Sequence, residues 1–244
     1  MAEHKNKFPT PTIEDYLGII YTLHRDGGEV YGARLAELLN VSAPTVTVTL
    51  QRMVRDEWIN LDSEKKIHLT PAGITAASSI IRRHMLTEWM LSKILNLPWS
   101  ELHGEADKIE HTISGDVEKS LQKTLSDPTH CPHGNPMPGS ESFSDPWCPL
   151  SEFVQNDRVI IRRIHEFLES DQELMKYLEE NNVLPGSTAT IIEVLPFNKT
   201  IKLIIDSHSV ILGLDVARNI FVEPVENRGK NDIYFKFGVS ANWT

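Results

Sequence analysis

The 244-residue chain has only two cysteines, Cys131 and Cys148, and no apolar run of the ~18 residues that a membrane-spanning helix needs. Residues 1–16 also lack the apolar core of a secretory signal peptide. These absences disfavour a disulfide-stabilised secreted protein and a membrane protein. We therefore expect a cytoplasmic protein with no membrane partner, whose two thiols are reduced.

Positive charge is also in short supply. The chain has 24 Lys and Arg against 34 Asp and Glu, for a formal net charge of −10. Residues 1–83 hold ten of each sign, so this part is neutral and the rest carries the whole −10. This balance disfavours non-specific electrostatic binding along a long stretch of nucleic acid. It still allows a neutral N-terminal module to bind DNA through a local basic patch.

The first 70 residues have the pattern of a winged helix-turn-helix. Apolar residues recur at helical spacing in three segments, and Ser42 is placed to cap the third, with Pro44 in its first turn. The Thr-Val-Thr-Val-Thr run at 45–49 would also suit a strand, but this cap and the apolar spacing that follows favour a helix. Two β-favouring runs then flank a polar turn. The predicted elements are helices over 12–25, 32–40 and 42–58 and a hairpin over 59–70.

The third helix begins with small polar residues, as a helix that reads the major groove would. Basic residues farther along can contact phosphates, which set register without reading sequence. The alternative is a helical hairpin that binds no DNA. We predict contacts with base edges or phosphates from Ser42, Thr45 and Thr47, and contacts with thymine methyls from Pro44 and the threonine methyls. The predicted phosphate contacts are Arg52, Lys65 and Lys66.

The rest of the chain changes character twice. Helical patterns are followed by a long loop rich in Pro, Gly and Ser, and long loops inside compact proteins are usually functional. Short strands with one helix among them then indicate a small, mostly β barrel of roughly 70 residues. The predicted elements are helices over 71–95, 99–113 and 115–125, a loop over 126–149, a strand over 157–164, a helix over 170–182 and strands within 184–225, while 226–244 has no assignment.

The stretch HGEADKIEH carries residues that bind divalent metals. His103, Asp107, Glu110 and His111 stand at offsets 0, 4, 7 and 8, which places them on one face of a continuous helix. The preceding helix adds His84 and Glu88, four residues apart, and Asp15 lies in the first helix. Carboxylates with imidazoles suit Mn(II) and Fe(II) better than structural zinc, which prefers Cys and His. The alternative is a solvated polar helix face.

The order of these motifs resembles the diphtheria-toxin-repressor family of metal-dependent transcriptional regulators, most of all its three-domain manganese-responsive members. The resemblance covers about residues 10–225 and rests on EDYLGIIYTL, SAPTVTVTLQRMVRDEWI, LTPAG, RRHMLTEWML, LHGEADKIEHTIS and CPHGNPMPG. It implies a mainly α protein with a small β domain. The implied domains are a DNA-binding winged helix-turn-helix (1–75), a helical metal-binding and dimerisation domain with the Pro-rich loop (76–149) and an SH3-like barrel (150–225), followed by the unassigned tail (226–244).

The resemblance also implies two metal sites. The primary site would use Asp15, His84, Asp107, Glu110 and His111. The second would use Glu88, Cys131, His133 and Asp171, with His103 as a possible extra member. For Asp171, an ordinary charge at the start of a helix is an equally good interpretation.

Three positions depart from the family's patterns and bear on the metal. Asp15 stands where iron-responsive members have methionine. Asp107 stands where those have cysteine and where manganese-responsive members usually have glutamate. Gly18 stands where some two-domain manganese regulators add a carboxylate, so their binuclear arrangement is not expected here. Hard oxygen in place of sulfur favours Mn(II) as the activator, with Fe(II) second, and Zn(II) is expected to bind in vitro.

The resulting hypothesis is a dimeric, metal-activated repressor that is not an enzyme. It would bind a palindromic operator and, by resemblance, control metal-uptake genes. Two alternatives stay open from the residues alone. One is a thiol-based redox regulator that uses Cys131 and Cys148, and the other is a metal-dependent hydrolase, although no HExxH motif is present.

Overall fold

The computed structural model describes residues 8–144 and 147–225, which form two compact units. The first unit contains the described residues up to Leu97, together with Leu102–Cys131 and Pro136–Glu141. The second contains Pro98–Glu101, Pro132–Asn135 and the described residues from Ser142 onward. The tail over 226–244 lies outside the described residues. None of the helices within the described ranges is long and apolar enough to cross a membrane.

The first unit begins with the predicted winged helix-turn-helix. Ser42 caps the third helix by accepting a hydrogen bond from the backbone N–H of Thr45, so the 45–49 run is helical and not a strand. The two short strands pair antiparallel, with Asn60 opposite His68. Apolar faces of all these elements meet in one core. The elements are α1 (Pro11–Arg25), α2 (Gly32–Leu38), α3 (Ala43–Arg55), β1 (Ile59–Leu61) and β2 (Ile67–Leu69).

A long helix, α4 (Pro71–Lys93), connects this core to the helical part of the first unit. Near its start Ala77 packs with the winged-helix core, and farther along Met85 and Leu86 belong to a second buried cluster. The last long helix of this unit is α6 (Gly115–Thr124). The helix α4 therefore contributes side chains to both cores of the first unit.

The predicted helix over 99–113 is wrong as a continuous element. It consists of a 3-10 turn (Trp99–Glu101), the short α5 (Leu102–Ala106) and a second 3-10 turn (Glu110–Thr112). The guanidinium of Arg83 donates to the carbonyl oxygens of Glu110 and Ile113 and so holds the second 3-10 turn against α4. The predicted ligands of this stretch therefore do not share one helical face.

The second unit is an antiparallel six-stranded sheet in the order β3-β8-β4-β5-β6-β7, with short helices around one apolar core. Loop residues 132–135 belong to this unit, and Gly134 has a φ of +89°. A Cβ there would lie 2.0 Å from the carbonyl oxygen of Arg162, so only glycine fits. The elements are β3 (Cys148–Pro149), β4 (Arg158–Ile164), α7 (Glu166–Glu169), α8 (Gln172–Glu180), β5 (Thr188–Leu195), β6 (Thr200–Ile205), β7 (His208–Gly213), α9 (Leu214–Ala217) and β8 (Ile220–Pro224).

Candidate metal centre

One group of possible ligands joins the first helix of the winged domain to the second 3-10 turn. Nε2 of His111 lies 3.2 Å from Oδ1 of Asp15 and 3.6 Å from Oε1 of Glu110. One donor atom from each of the three residues falls within a 4.8 Å cluster. We call Asp15, Glu110 and His111 the α1 group, because Asp15 belongs to α1.

Glu110 also belongs to a neighbouring cluster with two other residues. Nδ1 of His84 lies 2.5 Å from the second oxygen of Glu110 and 3.3 Å from Oδ1 of Asp107. The structure therefore brings together around Glu110 all five residues that the sequence predicts for the primary site. Glu110, at the start of the second 3-10 turn, contacts His84 of α4 and is the member that the two clusters share.

The opposite nitrogen of His84 faces a different set of side chains. Its Nε2 lies 3.3 Å from Oε1 of Glu88 and 3.0 Å from Nδ1 of His103. We call His84, Glu88 and His103 the α4 group. His84 thus stands between two clusters, one on each ring nitrogen. His103 contacts His84 and Glu88 of the second cluster as well as Asp107, the residue that its sequence spacing predicted.

Negative charge is crowded here. Burial raises the pKa of Asp15, and the carboxylates of Glu110 and Asp107 raise it further against the opposing effect of His111. Burial disfavours a charged His84, but Glu88 and Glu110 outweigh that effect and raise the pKa of His84 well above its ordinary value. A divalent cation would compensate this crowded negative charge. The donor set therefore fits Mn(II) or Fe(II).

The remaining residues predicted for the second site lie in both units. In the first unit, Sγ of the buried Cys131 lies within 4.8 Å of a Glu88 carboxylate oxygen. In the second, His133 is fully buried, and its Nδ1 lies 3.6 Å from Glu169, a residue that the sequence reasoning missed. Asp171 is exposed and caps α8 by accepting from the backbone N–H of Leu174. No ligand cluster among the described residues includes Asp171.

The polar residues predicted to read DNA are exposed at the start of α3, but they are partly engaged with each other. The hydroxyls of Ser42 and Thr45 lie 2.8 Å apart, and the Thr47 hydroxyl donates to the carbonyl of Ala43. Val48 is 67% exposed on the same helix, which the sequence reasoning missed. The signal was available, since residues two apart in a helix point to opposite sides and Val46 is buried.

The basic residues differ in availability. Lys65 is exposed in the turn between β1 and β2. Lys66 pairs with Glu29 at 2.7 Å and with Glu64 at 2.8 Å, and these hydrogen bonds raise the pKa of Lys66. Arg52 lies 3.8 Å from Asp56 with half of its side chain exposed.

Family models match nearly the whole described chain. The iron dependent repressor N-terminal DNA binding domain matches residues 9–67, and the iron dependent repressor metal binding and dimerisation domain matches residues 70–139. A FeoA domain matches residues 148–224. These three matches follow one another along the chain in the order of the structural elements described above.

Individual relatives agree with these matches. The iron-dependent repressor IdeR of Mycobacterium leprae is 34% identical over 225 residues, which cover 88% of this chain and 97% of the relative. The diphtheria toxin repressor of Corynebacterium diphtheriae is 33% identical over 221 residues, with 87% and 96% covered. A solved manganese-dependent transcriptional repressor in complex with manganese superposes with a TM-score of 0.76 at 27% identity, covering 87% of this chain and all of the other. The chain therefore belongs to the diphtheria-toxin-repressor family of metal-dependent transcriptional regulators.

Proposed function

We propose that the protein is a dimeric transcriptional repressor that Mn(II) activates for binding to a palindromic operator. The observation that carries this proposal is the α1 group. Asp15 belongs to the winged domain, whereas Glu110 and His111 belong to the helical part, so an ion held by all three would connect the two. The iron- and manganese-dependent repressors among its relatives support the same function.

The primary ion would be held by the five residues around Glu110: Asp15, His84, Asp107, Glu110 and His111. When bound, it supplies positive charge that compensates their crowded carboxylates. The chain does the rest, because α1 contributes Leu17 and Ile20 to the core that also contains Leu50 and Met53 of α3. Fixing α1 against the 3-10 turn therefore fixes the recognition helix, and a symmetric dimer would then present two such helices to one palindrome.

We assign Mn(II) as the activating metal and Fe(II) as the second choice, on the oxygen-rich donor set. Zn(II) is expected to bind in vitro, and a solved relative named ScaR holds bound Zn²⁺. A second ion is proposed on Glu88 with His103 and Cys131, all in the first unit. That His133 and Asp171 also bind this second ion stays a prediction.

Operator contacts are proposed from α3 and the hairpin. Pro44 and Val48 would contact thymine methyls, and Ser42, Thr45 and Thr47 base edges or phosphates. Lys65 and Arg52 would contact phosphates, with a smaller part for Lys66 because two carboxylates already hold it.

Neither alternative from the sequence is favoured by the structure. Burial raises the pKa of the Cys148 thiol, and Cys131 is buried, whereas reactive cysteines have a lowered pKa and are accessible. The two relatives compared above are named as repressors.

The proposal is tested by selecting bound duplexes from a random DNA pool in the presence of Mn(II). The affinity for the selected operator is then measured with Mn(II) and with a chelator. We expect a palindromic operator that is bound more tightly with Mn(II) by roughly 5–150-fold, the usual range of allosteric coupling. Equal affinity in the two conditions would show that the protein is not metal-activated. Genes beside genomic copies of the operator should encode metal-uptake proteins.

A further inference from the structure

A buried carboxylate beside the α1 group is not among the predicted ligands. Glu14 precedes Asp15 in α1 and is only 7% exposed. Its Oε2 lies 2.7 Å from Nδ1 of His111, and its Oε1 accepts a hydrogen bond of 2.5 Å from Nη2 of Arg83. Both oxygens of Glu14 are therefore engaged, one with the α1 group and one with α4.

The contact with Glu14 determines which nitrogen of His111 is free. An ionised carboxylate only accepts hydrogen bonds, so Nδ1 of His111 must be the donor. The lone pair of the neutral ring then lies on Nε2, the nitrogen that faces Asp15 and Glu110. A metal-binding histidine usually donates its other N–H to a carboxylate in this way, which fixes the tautomer and the ring orientation.

Arg83 holds Glu14 in this position. Its guanidinium also donates to the backbone carbonyls of Glu110 and Ile113, at 3.4 and 3.5 Å, and to that of Ser79 within α4. One arginine thus contacts α1, α4 and the 3-10 turn. It balances the charge of Glu14, which keeps that carboxylate directed at Nδ1 of His111.

We propose that Glu14 is a positioning residue that holds His111 in its Nδ1–H tautomer, and that Arg83 holds Glu14 for this task. The inference rests on the proposed function, because the histidine that Glu14 orients, His111, is a proposed ligand of the primary metal. Neighbouring residues of α1 would then have different tasks. Asp15 would bind the ion, and Glu14 would orient another of its ligands without touching the ion.

The first test needs neither a variant nor a metal. The ¹⁵N chemical shifts of the ring nitrogens of His111 are measured in metal-free parent protein, in alkaline solution where imidazoles are neutral. We expect a protonated Nδ1 and a bare Nε2. The opposite tautomer, or a fast mixture of both, would overturn the proposal. This measurement does not depend on operator DNA, so it stays informative even if metal-dependent repression itself is disproved.

The second test uses Glu14→Gln with Glu118→Gln as the matched control. A glutamine that keeps its oxygen on Arg83 must direct its NH₂ at Nδ1, which forces the proton of His111 onto Nε2. We expect the switched tautomer and Mn(II) binding weakened by roughly 10–100-fold in calorimetry. The control breaks a similar ion pair, Arg82 with Glu118 at 3.3 Å, which does not include His111. It should leave the His111 tautomer and the affinity for Mn(II) unchanged. A Glu14→Gln protein that keeps the parent's tautomer overturns the proposal whatever its affinity for Mn(II).

Discussion

The α1 group and the α4 group share the same kinds of donor atoms but connect different parts of the protein. The α1 group contains Asp15, a residue of the winged domain, whereas the α4 group contains only residues of α4 and α5. An ion in the α4 group can stabilise the helical part. Of the two ions, only one in the α1 group would bind α1, whose Leu17 and Ile20 share a core with Leu50 and Met53 of α3. The kind of donor atom alone therefore does not make a switch, because a switch also requires that the ligands come from two different parts of the protein.

His84 is the residue through which the two groups affect each other. Its Nδ1 faces Glu110 and Asp107, and its Nε2 faces Glu88 and His103. A neutral imidazole offers one lone pair, so His84 can serve only one ion at a time. The primary ion of the proposed function would take His84, so an ion in the α4 group would have to bind without it, and the two occupancies are thereby linked.

The largest effect is expected from Asp15→Ala. This change removes the one ligand that the winged domain contributes, so Mn(II) should no longer tighten operator binding. The loss is the full coupling factor, roughly 5–150-fold. Fluorescence anisotropy with labelled operator measures it, and His103→Ala serves as the comparison. If Asp15→Ala keeps the metal response of the parent, the ion does not act through α1.

A smaller effect is expected from pH. The raised pKa of His84 means that folded apo protein keeps this proton above the ordinary value of 6.5. The proton's contribution to apo stability is complete below pH 6.5 and is lost as pH rises through the raised value. Because the ion replaces the proton, affinity for Mn(II) should increase over that window, by up to about tenfold per pH unit for one proton. Calorimetry in buffers of different ionisation enthalpy counts the protons released, and a pH-independent affinity would contradict the linkage.

His103→Ala should separate the two groups. The variant loses a residue of the α4 group and none of the α1 group, so it should bind fewer Mn(II) ions per chain. Operator affinity at saturating Mn(II) should stay close to that of the parent. Metal stoichiometry by calorimetry and operator affinity are measured on the same preparation. An operator affinity that falls as far as that of Asp15→Ala would mean that the two groups are not separate in function.

Val48→Ala should act on the DNA side alone. Removing about two methyl groups from a thymine contact costs about 1 kcal/mol, or roughly fivefold in operator affinity. The ratio of affinities with and without Mn(II) should not change. Val54→Ala is the matched control, because Val54 is also exposed on α3 but lies near its end. Uracil in place of the contacted thymine should lower the operator affinity of the parent but not that of Val48→Ala. If the affinity losses from the two changes add up instead, Val48 does not contact that methyl group.

The smallest effect is expected from the two lysines of the hairpin. Lys65→Ala should weaken binding to all duplexes and reduce the slope of log affinity against log salt by about one. Lys66→Ala should change the slope less, since Glu29 and Glu64 already neutralise that side chain. Salt titrations of both variants provide the comparison. Equal slopes for Lys65→Ala and the parent would remove Lys65 from the phosphate contacts.

The winged domain was predictable because local signals agree with the final fold. Ser42 caps α3, Pro44 stands in its first turn, and the apolar spacing that follows matches the buried face. Helical periodicity also predicted all of α4, with two residues too many at its end. These features depend on neighbours in sequence, which a single chain displays directly.

The arrangement of the ligands was only partly predictable. A continuous helix over 99–113 fits the residue spacing, but the helix breaks between Ala106 and Glu110, where no local pattern shows it, and Arg83 holds the turn that follows. Glu14 looks like an ordinary acidic residue in the first turn of a helix, and only the fold brings His111 to it. Glu169 and Asp171 are two residues apart, so spacing could not decide which one faces His133.

If an ion in the α1 group and the operator stabilise the same state of the protein, each must increase the affinity for the other by the same factor. Calorimetry gives the affinity of the protein for Mn(II) with and without saturating operator, and anisotropy gives the affinity for operator with and without Mn(II). We expect the same factor in both directions for the parent and a factor of one in both for Asp15→Ala. An affinity for Mn(II) that operator leaves unchanged in the parent would contradict this expectation.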